Sequence, residues 1–175
     1  MSAVARLIEG GWLVGMAEFS AVLWRERELL EVLLFKLEEE QLLLTAGRSE
    51  WLARANREVE VVLEAIATNE VIRAVEVDVV ATTLGLPANS SLGELARAAP
   101  APWGELLTDH RSCFLDLTGR IIALAEVNRD LVSSSRHAVA EALSAIAGPI
   151  DQPMYGPSGS TISTDSRPHF LDGAL

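Results

Sequence analysis

The chain has 175 residues, a formal net charge of −11 and a single cysteine. That length supports one domain with an appendage. The acidic balance excludes nucleic acid as the main partner and disfavours anionic lipid, because both need a basic face, and the lone Cys113 excludes an intramolecular disulfide. Proline is missing from Met1 to Leu86 and again from Trp103 to Gly148, while Pro149, Pro153, Pro157 and Pro168 all fall in the last stretch. Long helices followed by a loose end are the first expectation.

In chain order, residues 1–16 read as a loosely ordered leader, broken by Gly10, Gly11 and Gly15. A helix is expected from Glu18 to Ala46, where Leu23, Leu30, Leu37 and Leu44 recur every seventh position and Phe19, Leu33 and Leu34 widen the stripe. Gly47 stops it, and Ser49 is expected to cap the next helix, with Glu50 in its first turn. That second helix runs from Glu50 to Leu84. Leu52, Val59, Ile66 and Val80 share one heptad position, Ala55 and Val62 the adjoining one, and Asn69 and Arg73 interrupt both. Gly85 and Pro87 end it. The connection around Gly47 is short, so the two helices are expected to be antiparallel neighbours.

Pro87 to Pro102 is a connector, and the capping-box spacing of Ser91 and Glu94 predicts a short helix from Leu92 to Ala98. The last helix, Trp103 to Ala147, has two seam positions. One holds Leu107, Phe114, Ile121, Asn128, Ser135 and Ala142. The other holds His110, Leu117, Leu124, Leu131, Ala138 and Ala145. The fold expected is all-α: an elongated antiparallel three-helix coiled-coil bundle, up-down-up, over residues 17–148, with a flexible Pro/Gly/Ser-rich tail over 149–175.

At 1.5 Å per residue the three long helices would span about 43, 52 and 67 Å. The third then overshoots from Ala138 onward, leaving Val139, Leu143 and Ile146 apolar and without an intramolecular partner, as at a binding surface. Asn128 and Ser135 put polar groups in the seam, as a register device, a water-facing position or the place where the seam opens toward a partner.

Chemistry finds no support in the sequence. No Glu stands three residues before His110 or His137, so the metal-binding pattern of di-iron bundles is missing. No histidine pair has zinc spacing, and there is no phosphate loop or nucleophile elbow. His110 and Cys113 read as packing residues and Glu38, Glu39 and Glu40 as a solvated face. No catalytic residue, cofactor or metal is expected, and no apolar run reaches the ~18 residues of a membrane span. Two classes remain: a protein that holds another protein, and a structural or adaptor coiled coil that homodimerises.

The Leu- and Glu-rich run from Leu23 to Glu40 with the Leu42-Leu-Leu-Thr-Ala-Gly47 turn, the stretch Arg57-Glu-Val-Glu60, the late segment Ile122-Ala-Leu-Ala-Glu-Val-Asn-Arg-Asp-Leu-Val132, and the tail Tyr155-Gly-Pro-Ser-Gly159 together resemble the FlgN family of flagellar export chaperones. The chain departs from that family in its glycine-bearing leader and in Arg129-Asp130, where members often continue with a second Asn. The resemblance implies a cytoplasmic, non-enzymatic type III export chaperone. Such a chaperone binds the terminal helices of hook–filament junction proteins, FlgK and FlgL, and delivers them to the export gate. It implies a recognition stripe of Ile121, Leu124, Asn128, Leu131 and Val132, extended by Val139 and Leu143, with Tyr155 as a docking point for the gate. It leaves room for weak self-association and calls for neither nucleic acid nor membrane insertion.

Overall fold

In the computed structural model, residues 3–147 are described, with side chains from Trp12 to Ile146. All secondary structure among them is helical: α1 (Ala3–Thr45), α2 (Ser49–Thr83), α3 (Leu92–Ala98) and α4 (Trp103–Ala147). The chain divides into two compact units, Met1–Ser133 and Ser134–Leu175.

The helix ends follow from local chemistry. Gly47 and Gly85 adopt φ of +66° and +72°, which costs glycine least. After α1, the Arg48 N–H donates to Leu43 O (2.9 Å) and the Gly47 N–H to Leu44 O (3.2 Å). After α2, the Leu86 N–H donates to Ala81 O (2.8 Å) and the Gly85 N–H to Thr82 O (3.1 Å). Both ends therefore close by the same paired-bond motif. The expected box on α3 forms: Ser91 Oγ accepts from the Glu94 N–H at 3.3 Å, and Glu94 Oε2 accepts from the Ser91 N–H at 2.8 Å.

Two local expectations are corrected. Ser49 is the first helical residue rather than the cap; Arg48 occupies the cap position and makes no side-chain capping bond. The first helix begins at Ala3, not near Glu18, so the leader expected over residues 1–16 is helical from Ala3 onward. Each helical glycine costs about 1 kcal/mol. Tertiary packing offsets that cost: Met16 and Phe19 are fully buried, and the Trp12 ring meets Trp103 edge-on at 6.5 Å.

The first unit has two buried clusters. One gathers Met16, Phe19 and Leu23 of α1, Val80 and Ala81 of α2, Leu95 of α3 and Leu107 of α4. The other gathers Leu33 and Leu37 of α1 with Val62 of α2, and Ile121, Leu124 and Ala125 of α4 pack against it. Contacts between α1 and α2 run in opposite chain order: Lys36 meets Glu58 at 2.8 Å and Val22 meets Asn69, while Met16 lies among the neighbours of Val80. Between α1 and α4 they run in the same order, from Trp24 beside His110 to Leu37 beside Asn128. The short α3 sits tight on α4. A Cβ built on Gly104 would stand 2.8 Å from Ala96 O and 3.0 Å from Ala99 O.

The two residues that interrupt the α2 stripes are both occupied. Asn69 Nδ2 donates to Val22 O at 3.4 Å. Arg73 Nε stands 2.8 Å from Glu26 Oε2. Burial pushes the Glu26 carboxyl up from its ordinary range; Arg73 pulls it back in part, and Glu70 adds to the rise.

Candidate functional site

The seam of α4 changes character along its length. Leu107, His110, Leu117 and Asn128 are buried, and Phe114, Ile121, Leu124 and Leu131 are half-buried. Every residue from Val132 to Ile146 is exposed. The sequence-derived stripe therefore falls into two sets.

In the first unit, Ile121 and Leu124 lie against Leu33, Leu37 and Val62 of the chain's own core. Asn128, 4% exposed, donates from Nδ2 to Leu37 O at 2.9 Å and to Glu40 Oε2 at 3.0 Å. A helix carbonyl has a second lone pair beyond its ladder bond, and the amide takes it. Of the roles open to Asn128, the register device is the one its contacts describe: its bonds fix one position of α4 on α1. Leu131 is half-buried, and Val132 is exposed.

In the second unit, Val139, Leu143 and Ile146 are 58%, 61% and 81% exposed. Their spacing of four and three puts them on one helix face. Ala138, Ala142 and Ala145 beside them are small and equally open. Within this unit His137 Nε2 stands 3.4 Å from Glu141 Oε1, on an exposed surface. Tyr155, with the tail from Pro149, lies outside the described residues.

His110 is not the satisfied packing residue that its seam position suggests. It is 2% exposed, and neither ring nitrogen has a hydrogen-bond partner among the described residues. Its ring meets Trp24 edge-on at 4.8 Å and Phe114 at 5.9 Å. Burial pushes its pKa down, the Arg27 charge pushes the same way, and Asp109 opposes. No metal cluster accompanies it: among the described residues no group of three His, Cys, Asp or Glu could hold an ion. The same residues include no helix long and apolar enough to cross a membrane.

One feature escaped the sequence reading. Val71, Ile72, Val75 and Val79 of α2 are all exposed, on the side away from Val62, Asn69 and Val80. The signal was available as a second four-three spacing, masked by the stronger inward one.

The family model described as FlgN protein matches residues 16–162. No curated protein and no solved structure matches the chain.

Proposed function

The chain belongs to the FlgN family of flagellar export chaperones, and we propose that it binds the terminal helices of junction proteins of the FlgK and FlgL type in the cytoplasm and delivers them to the export gate. The observation that carries this reading is the exposed face of Val139, Leu143 and Ile146 on α4. An amphipathic substrate helix laid on that face buries apolar surface on both partners.

Leu131, half-buried, and Val132, exposed, are proposed substrate contacts of the first unit in their own right. Ile121, Leu124 and Asn128 enter the proposal as its packed base, because their side chains already serve the chain's own core. The bundle in this reading is an up-down-up arrangement, within Met1–Ser133, of α1, α2 and the part of α4 in that unit, supported by the opposite order of α1–α2 contacts and the same order of α1–α4 contacts. Tyr155 is the proposed gate contact: it is the only tyrosine, and a lone aromatic among small residues suits a docking anchor. A chaperone needs no catalytic group or cofactor, and the proposal includes none.

The test uses the full chain and a synthetic peptide of a junction protein's terminal helix, read by size exclusion with light scattering. One-to-one capture by the wild-type chain, lost in the Val139→Asp, Leu143→Asp double variant with an unchanged melting curve, supports the reading. A homodimer that ignores the peptide supports the structural coiled coil instead.

A further inference from the structure

The geometry points to a second docking surface, on the outer face of α2, for a helix whose apolar seam is flanked by lysine or arginine. Val61, Ala65, Thr68, Ile72, Val75 and Val79 follow one another at spacings of four, three, four, three and four. That is the spacing of a coiled-coil seam. It is distinct from the inward stripe that carries Val62, Asn69 and Val80. Val61, Val71, Ile72, Val75 and Val79 are between 48% and 68% exposed. Thr68 turns its hydroxyl back to Glu64 O at 2.9 Å, which leaves its methyl group as its outward contribution. The seam runs for about 27 Å at 1.5 Å per residue, the length of an ordinary partner helix.

Charge selects the occupant. Glu64 and Glu76 flank the seam, Glu60 and Asp78 lie one step further round the same stretch, and its one cation, Arg73, is turned away toward Glu26 and Glu70. The α1 cations level with it, Arg25 and Arg27, are already held by Glu28 and Glu31. A second copy of the chain would set carboxylates against carboxylates, and an anionic membrane would be repelled in the same way. A helix with basic residues beside its apolar seam meets both requirements: apolar burial in the middle and opposite charge at the edge. The residues of this surface are not those of the proposed α4 face, so the proposal stands or falls without it.

The experiment measures binding of two labelled three-heptad amphipathic peptides to the full-length protein by fluorescence anisotropy, one with lysine and one with glutamate at the flanking positions. The lysine peptide is expected to bind, at least tenfold more tightly than the glutamate peptide, and to protect residues 61–79 in hydrogen exchange. Ile72→Glu with Val75→Glu should weaken it at least tenfold while leaving the melting curve unchanged. Glu60→Lys with Glu64→Lys should shift the preference toward the glutamate peptide. Equal binding of the two peptides overturns the proposal. So does lysine-peptide binding that the Ile72→Glu, Val75→Glu variant keeps or strengthens, since that variant is more acidic and such binding reports net charge alone. A wild-type homodimer dissolved by the same variant also overturns it and makes a second copy the occupant.

Discussion

Asn128 on α4 donates its side-chain amide to the carbonyl of Leu37 on α1 at 2.9 Å, across a sequence separation of 91 residues. The same nitrogen reaches Glu40 at 3.0 Å, so one buried amide ties two turns of α1 to a single point of α4. Its Oδ1 is buried without a partner among the described residues, which lowers the net gain. The bond acts mainly on register: sliding α4 by one turn would strand the amide among leucines.

Asn128→Ala should destabilise the first unit by about 1–2 kcal/mol, the loss of hydrogen bonds plus a small cavity. Asn128→Leu should recover most of that loss, because an apolar side chain leaves no unpaired polar atom behind. Urea unfolding followed by circular dichroism measures both. A fully stable Asn128→Ala would remove the register role.

The same chemical change should have opposite signs at two glycines. Gly15→Ala adds a Cβ with nothing within 4 Å in a helical position, so it should stabilise by about 0.5–1 kcal/mol. Gly104→Ala drives a Cβ to 2.8 Å from Ala96 O and 3.0 Å from Ala99 O, both backbone atoms that cannot rotate away. It should cost about 1–3 kcal/mol and loosen α3 from α4. Thermal melts of the two variants give the comparison directly.

His110 makes stability depend on pH. Its pKa in the folded chain is lowered by burial, with Arg27 adding to the effect, from an ordinary 6.5. The native ring therefore binds protons less readily than the unfolded one. Its contribution is fully present above 6.5 and is lost as the pH falls through that value toward the depressed one. Denaturation midpoints should drop between about pH 7.5 and pH 5.5, and His110→Phe, which suits the Trp24 and Phe114 rings, should flatten that slope.

Glu26 has the opposite sign. Burial raises its carboxyl above the ordinary 4.5 despite Arg73. Its native form holds the proton more tightly, so this stabilisation is present below 4.5 and is lost as the pH rises through the raised value. Arg73→Met removes the compensating charge and should cost up to about 3 kcal/mol at neutral pH, less in mild acid. Glu26→Gln in the same background should restore part of it. A loss that does not vary with pH would mean Arg73 acts through packing alone.

Much of this was readable one residue at a time. The stops at Gly47 and Gly85, the box of Ser91 with Glu94, and the inward identity of Leu23, Leu33 and Leu37 are short-range facts, set by backbone freedom, capping geometry and spacing. The candidate site was readable only in part. Ile121 and Val139 look alike in sequence, yet one packs against Leu37 and Val62 while the other is exposed.

The sequence by itself determined that the chain is helical, where its helices stop and which family it belongs to, because propensity, caps and heptad spacing act within a few turns. Only the tertiary structure decided that α1 extends back through Trp12, which meets Trp103, ninety-one positions away. It also decided that Asn128 is spent on Leu37 rather than open to solvent, that His110 is sealed among rings, and that α2 carries a second seam facing out. Each of these depends on which distant surface arrives to cover a residue, and periodicity in one helix does not record how many neighbours that helix will have.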